Sequence, residues 1–239
     1  MSEWKSRKFW TDVSVDKADD GWCVLLDGRP IRTPFKSALR LPTEPLARMV
    51  AEEWAAQDDD IRPDRMPATR MANSAIDKVG PQWDGVVDVV AAYGETDLLC
   101  YRAEGPRLLV ERQAREWDPV LDWARTRFDA HLAVATGIIP VDQDPAALAR
   151  LRAELDALDA FRLTAMHDLV SLTGSLVLGL AVAHDALAPD RAWDLSRIDE
   201  EWQFSQWGRD EEADAAAEKK RSAFLEAESF FRAARFSSH

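Results

Sequence analysis

The chain has 239 residues, of which 43 are acidic and 30 are basic, so its formal net charge at pH 7 is −13. This charge argues against a nucleic-acid ligand or an anionic membrane surface, because both attract proteins through basic patches. The hydrophobic content of 46% excludes wholesale disorder and is enough for one large or two modest domains with real cores.

The first forty residues predict a small antiparallel β domain. Residues 22–26 (WCVLL) form an apolar run typical of a strand, and the Asp27-Gly28 pair after them is a strong hairpin signal. Val13 and Val15 alternate with polar residues, which indicates a strand before the hairpin. Further short strands are expected at residues 29–33 and 39–41.

A helix follows, and both of its ends carry recognisable signals. Thr43 is a favoured N-cap residue, and Pro45 suits the first helical turn. The acidic run 58–60 reads as a solvated helix end, since it lacks the glycine and the distal glutamate of a calcium loop. The apolar side chains of the predicted core-facing stripe are Leu46, Met49, Val50 and Trp54.

Helical patterns dominate the rest of the chain, so the predicted fold class is α+β, with a small N-terminal antiparallel β domain followed by a larger all-helical C-terminal domain. We place an N-terminal β-rich domain at 1–65, a helical connection at 66–105 and the C-terminal helical domain at 106–239. Pro119 is expected to kink or break one long helix. Predicted helices cover 68–79, 81–93, 109–128, 144–158, 163–187 and 218–236, with extended segments at 97–101 and 138–141.

The acidic stretch 196–217 has two contrasting faces when it is read as one helix. One face is an ordinary core-facing stripe. The other places Trp207 among carboxylates, and a large aromatic side chain there needs a second burial partner. That partner is either this chain's own core or another protein. The core-facing stripe is Ile198, Trp202, Ala213 and Ala216, and the opposite face carries Gln203, Trp207, Asp210, Glu211 and Asp214.

Three features of the sequence bear on where the protein works. Its two cysteines are too few for a disulfide framework, which favours a reducing compartment. The first ten residues, MSEWKSRKFW, have neither the apolar region of a signal peptide nor an Arg/Ser-rich presequence. The longest uncharged run, 169–183, has 15 residues, whereas a membrane-spanning helix needs about 20. We therefore expect a cytoplasmic protein with no membrane insertion.

Motifs with known chemistry are absent from the sequence. It contains no glycine-rich phosphate loop, no Walker lysine motif and no H-E-x-x-H. His167 and His184 each precede an aspartate, where a capping or core role is more common than a metal or catalytic role. The main alternative to a binding protein is a metal-binding or carboxylate-dependent helical enzyme that uses the acidic cluster 199–214 with one of these histidines.

Eight blocks of the sequence, taken in order, are similar to those of one known family. They are LDGRPIRTP (26–34), LRLPT (39–43), EEWAAQ (52–57), MPATRMANSAID (66–77), DLLCYRA (97–103), RQAREWDPVLDWA (112–124), GSLVLGLAV (174–182) and DEEWQFSQWGRDEEA (199–213). Together they resemble the chaperones that assemble the F1 sector of ATP synthase by holding its alpha subunit.

The resemblance implies a chaperone that is not an enzyme and needs no nucleotide. We expect a bacterial protein that is monomeric and has no cofactor or metal. The resemblance also implies that the protein binds unassembled F1 alpha subunit, covers the surface that later meets the beta subunit, and is displaced by beta. An interaction module with some other client is a further possibility. Family positions of note match Asp199, Glu200, Glu201 and Trp54, although Trp54 also lies on a predicted core stripe. The predicted partner-binding residues are Asp199, Glu200, Glu201, Gln203, Trp207, Asp210, Glu212 and Trp54.

Overall fold

The N-terminal sheet is built around the predicted hairpin. The computed structural model describes residues 7–137, 139 and 141–235. In it, β2 (Gly21–Leu26) pairs antiparallel with β1 (Val13–Ala18) on one side and with β3 (Arg29–Pro30) on the other. Asp27 and Gly28 form the turn with φ values of 47° and 77°, a conformation that Asp-Gly pairs adopt readily. The small antiparallel sheet is thus confirmed.

Helix α1 (Glu44–Ala55) covers this sheet and begins at the predicted cap. The hydroxyl oxygen of Thr43 accepts a hydrogen bond from the backbone N–H of Leu46 at 3.3 Å. Leu46 and Val50 are buried, as the predicted stripe requires, and α1 packs against β1, β2 and α2 (Pro67–Ser74).

The remaining helices confirm an α+β fold in which helices follow the small sheet. Helix α4 continues through Pro119 without a break, so a broken helix is wrong and the alternative of a kink at Pro119 stays a prediction. The predicted helix 218–236 begins earlier than expected, and Phe236 lies outside the described residues. The helices are α3 (Trp83–Ala91), α4 (Arg107–Phe128), α5 (Pro145–Asp156), α6 (Ala160–Thr173), α7 (Leu176–Ala183), α8 (Pro189–Ser196), α9 (Ile198–Trp207) and α10 (Glu211–Ala233).

The apolar segment 163–187, predicted as one helix, is two helices. Gly174 ends α6 with a φ of 72°, a left-handed conformation that glycine adopts without strain. The hydroxyl oxygen of Ser175 then accepts a hydrogen bond from the backbone N–H of Leu178 at 3.0 Å and caps α7. A stop signal and a start signal therefore stand side by side in this segment. Residues 176–182 are all buried, as predicted for this part of the chain.

The C-terminal part is not entirely helical, in contrast to the prediction. Strand β4 (Tyr101–Arg102) pairs in parallel with β5 (Ala135–Thr136), and a 3-10 turn at Leu98–Cys100 precedes β4. The expected extended segment at 138–141 falls partly on Ile138 and Pro140, which lie outside the described residues.

The chain divides into two units that interleave along the sequence. The first comprises the residues up to Trp83, together with Asp159–Ala165 and the residues from Ser229 onward. The second comprises Asp84–Leu158 and Met166–Glu228. The three-part division drawn from the sequence, with boundaries at residues 65 and 105, stays a prediction. Within the described ranges, no helix combines the length and the apolar character needed to cross a bilayer.

Candidate functional site

Helix α9 is anchored in the second unit at its first turn. Ile198 is 2% exposed, as predicted for the core-facing stripe, and α9 packs against α4 and α8. The corner before α9 is fixed by Trp117, a fully buried side chain of α4. Its Nε1 donates a hydrogen bond to the carbonyl oxygen of Leu195 at 2.9 Å. The start of α9 is therefore held firmly.

The predicted single helix 196–217 is wrong, because the chain turns at Gly208. This residue ends α9 with a φ of 90°, and α10 begins three residues later. The side chain of Asp210 caps α10 by accepting hydrogen bonds from the backbone N–H groups two and three positions further on, at 2.8 and 3.3 Å. Ala213 and Ala216 therefore lie on α10 and do not extend the buried stripe of α9.

The exposed face of α9 carries Glu200, Gln203 and Trp207 at helical spacing. Trp207 is 82% exposed, so its partner is not the core of this chain within the described residues. Trp202 was expected in the core, but it is only half-buried and lines a shallow cleft beside β4. The reason is that the buried part of α9 is confined to Ile198 in its first turn, while its later residues are half-buried or exposed. The helix thus presents a large aromatic side chain at its free end.

Asp199 points into the protein rather than outward. Its Oδ1 accepts a hydrogen bond from Nε2 of Gln113 at 2.6 Å, and Gln113 is 1% exposed. The Oε1 atom of the same glutamine accepts a hydrogen bond from the backbone N–H of Ala103 at 2.9 Å. Gln113 therefore links α9 to the segment after β4, and Asp199 positions the helix.

The next two acidic residues of α9 are paired with arginines. Oε1 of Glu200 lies 2.7 Å from Nη1 of Arg197. Glu201 and Asp214 both bind the guanidinium of Arg209, at 2.8 and 3.0 Å, which ties α9 to α10 across the glycine turn. The sequence predicted an acidic face, and the structure pairs three of its carboxylates, those of Glu200, Glu201 and Asp214, with arginines.

Two further predicted contact residues lie outside α9. Glu212 is exposed in the first turn of α10. Trp54 belongs to the first unit, where it is half-buried and packs against Trp10 with 5.1 Å between ring centroids. This contact suits the stability role that its place on the core stripe suggested.

The two histidines of the enzyme alternative bind carboxylates outside the acidic cluster. Nδ1 of His167 lies 3.0 Å from Oδ1 of Asp168, and Nε2 of His184 lies 2.9 Å from Oε2 of Glu154. The hydrogen bond with Asp168 raises the pKa of His167. Among the described residues, no three His, Cys, Asp or Glu side chains are grouped so that they could hold a metal ion.

Asp97 supports the site, a role that was not predicted from the sequence. The residue is fully buried, and its Oδ1 accepts hydrogen bonds from the backbone N–H of Leu99 (3.0 Å) and the hydroxyl of Ser175 (2.7 Å). Its Oδ2 accepts a third from the backbone N–H of Val177 at 3.0 Å. Burial raises the pKa of Asp97 to about 6, although these hydrogen bonds act to lower it. Asp97 thus fixes the start of α7, against which α4 and α8 pack.

Comparison with known proteins gives consistent matches. The family model described as ATP12 chaperone protein matches residues 7–125. The crystal structure of Atp12 from Paracoccus denitrificans is 54% identical, with a TM-score of 0.94, over 98% of this chain and 100% of that one. The Atu1473 protein of Agrobacterium tumefaciens is 37% identical, with a TM-score of 0.91, over 96% of this chain and 86% of that one. The mitochondrial protein atp12 of Schizosaccharomyces pombe is 24% identical over 219 residues, 87% of this chain and 75% of that protein.

These similarities define a chaperone rather than an enzyme. The enzyme alternative raised by the acidic cluster is therefore wrong. The chain belongs to the ATP12 chaperone family, a family of chaperones for ATP synthase assembly.

Proposed function

We propose that this protein is an ATP-independent assembly chaperone for the alpha subunit of F1 ATP synthase. It binds the unassembled subunit, masks the aggregation-prone surface that later contacts the beta subunit, and releases the subunit when beta arrives. It works as a monomer in the bacterial cytoplasm.

The observation that carries this proposal is the 82% exposure of Trp207 at the end of an anchored helix. Exposed tryptophans are strong anchors at protein interfaces, because they bury a large apolar area with little loss of conformational freedom. Glu200 and Gln203 share the face that Trp207 occupies and provide a polar rim. A single apolar anchor with a polar surround suits a complex that must later dissociate.

The predicted contact residues have different roles in this proposal. Glu200, Gln203 and Trp207 contact the client directly, and Glu212 borders them on α10. Asp199, Glu201 and Asp210 act through structure, by holding α9 to Gln113, by bridging to Arg209 and by capping α10. Trp54 acts by stabilising the first unit through its contact with Trp10.

The net charge of −13 affects how the client is recognised rather than how tightly it is held. Charges at an interface mainly set the association rate and exclude wrong partners. We expect the association rate to fall with added salt if the docking surface of the alpha subunit is basic.

Light scattering of purified alpha subunit tests this function. Aggregation should slow at equimolar chaperone without added nucleotide, and beta subunit should then displace the chaperone from the complex. Bovine serum albumin at the same concentration controls for crowding. Unchanged aggregation, or a complex that persists after beta is added, would contradict the proposal.

A further inference from the structure

A polar cleft of about 650 Å³ lies between α4, α8, α9 and α10 of the second unit. Its walls include Ile198, Glu201 and Phe204, which follow one another at three-residue spacing on a face of α9 that adjoins the face of Trp207. Five arginines and five acidic residues line the cleft, so its walls carry no net charge although the whole chain carries −13. The cleft is therefore a place where an anionic group meets little repulsion. The arginines are Arg112, Arg191, Arg197, Arg209 and Arg221.

Four of these arginines already have carboxylate partners. Arg197 and Arg209 hold the acidic residues of α9 described above. Nη2 of Arg221 lies 2.5 Å from Oδ1 of Asp190, and Arg191 pairs with Glu116. These four guanidinium groups line the cleft, and their positive charges are neutralised by carboxylates of the protein itself.

Arg112 is the exception. The residue is half-buried on α4, and its guanidinium makes no hydrogen bond or ion pair with any residue that the structure describes. Glu116, one turn along the helix, is occupied by Arg115 and Arg191. Asp194 stands exposed on the rim and does not pair with Arg112. A partly desolvated guanidinium without an acceptor favours an incoming anion, to which it can donate two parallel hydrogen bonds.

The cleft that Arg112 lines also has apolar side chains in its walls. Trp193 is 5% exposed, Ile198 is buried and Phe204 is half-buried. One unpaired guanidinium in walls without net charge matches a single carboxylate, whereas a doubly charged phosphate needs more positive charge than these walls provide. The volume accommodates a few side chains rather than a folded element.

We infer that this cleft receives an acidic side chain of the client, flanked by an apolar residue, and that Arg112 binds its carboxylate. The inference rests on the proposed function, because it assigns a second contact with the same client on another face of α9. Trp207 supplies the apolar anchor, and Arg112 supplies the charged contact.

The first test needs no client. Side-chain NMR of ¹⁵N-arginine-labelled protein follows a titration with the dipeptide N-acetyl-Leu-Glu-amide, with N-acetyl-Leu-Gln-amide and inorganic phosphate as parallel probes. We expect the acidic peptide to shift the Arg112 Nε signal, and the glutamine peptide and phosphate to leave it in place. The inference is overturned if the Arg112 Nε signal does not shift when the acidic peptide is added, or if phosphate shifts it equally.

The second test uses purified alpha subunit. Arg112→Gln should weaken binding about tenfold or more, the loss expected for one charge-assisted contact. Arg125→Gln on the same helix is the matched control, because Arg125 is exposed and pairs with Asp122 at 2.9 Å outside the cleft. Wild-type affinity in Arg112→Gln overturns the inference. If the wild-type protein does not bind alpha subunit although the peptide shifts Arg112, the proposed client is wrong and the carboxylate site stands.

Discussion

Replacing Asp199 by alanine tests whether this residue positions α9 or contacts the client. The substitution removes the acceptor of Nε2 of Gln113, a side chain that is 1% exposed and cannot turn to water. A buried donor left without a partner costs about 1–3 kcal/mol, so we expect a loss of about 2 kcal/mol in the free energy of unfolding. For a chain of this size, the melting temperature should fall by roughly 4–8 °C.

Two variants separate this effect from a loss of charge. Asp199→Asn keeps an oxygen acceptor where Gln113 needs it, so it should cost less than about 1 kcal/mol. Glu200→Ala removes a neighbouring negative charge from a partly buried pair with Arg197, which is worth roughly 1 kcal/mol or less. Urea unfolding followed by circular dichroism measures all three. If Asp199→Ala unfolds at the same urea concentration as Glu200→Ala, the positioning role is refuted.

Three further predictions concern the scaffold beneath α9. The pKa of Asp97 is about 6 in the folded protein, compared with 3.8 for an aspartate free of the fold. Protonation of Asp97 therefore stabilises the folded state at low pH, and this stabilisation is lost as the pH rises from about 4 to 6. The side chain of Asp97→Asn does not titrate. Between about pH 5 and pH 8, the free energy of unfolding of this variant should therefore rise by about 1.4 kcal/mol relative to that of the wild type. If the free energies of unfolding of the two proteins change with pH in the same way, the burial argument is contradicted. Gly179→Ala would place a Cβ atom 2.7 Å from Cγ2 of Val170. Overpacking costs about 1–3 kcal/mol, which outweighs the gain of about 1 kcal/mol in helix propensity. Thermal unfolding should therefore show that the variant is less stable than the wild type, and a more stable variant would contradict this reasoning. Trp117→Phe leaves the carbonyl oxygen of Leu195 unpaired and should lower the free energy of unfolding by about 2 kcal/mol. An unchanged midpoint of urea unfolding would show that this hydrogen bond does not hold the corner before α9.

Features of the fold that are encoded within a few residues could be predicted. The Asp27-Gly28 turn and the Thr43 cap are local signals, and both occur where the sequence placed them. The exposed position of Trp207 also followed from helical periodicity. The helix is continuous from Ile198 to Trp207, so the spacing from the buried first turn correctly placed Trp207 on the opposite side. These features depend on backbone geometry that neighbouring residues determine.

Features that depend on distant contacts could not be predicted. Asp97 and Val177 are 80 positions apart, and nothing in the sequence near either residue indicates that one caps the helix of the other. Gln113 and Asp199 are 86 positions apart, so an acidic residue that looked like part of a surface cluster proved to be a structural partner.

The breaks at Gly174 and Gly208 were a different kind of error. At both places the sequence contains a glycine followed closely by serine or aspartate, which is a signal for a helix end and a new helix start. The apolar or acidic pattern continues on both sides of each glycine, and for this reason a single helix was predicted. At both sites glycine adopts a positive φ and a polar side chain caps the next helix.

The central claim is that Trp207 anchors the F1 alpha subunit, and the dissociation constant of Trp207→Ala for purified alpha subunit tests it most directly. Phe35→Ala is the matched control, because Phe35 is 70% exposed and lies in the first unit. We predict that Trp207→Ala unfolds like wild type but binds about 30-fold more weakly, the loss of about 2 kcal/mol typical of an interface anchor, while Phe35→Ala binds normally. A folded Trp207→Ala protein that binds alpha subunit with the wild-type constant would contradict the account.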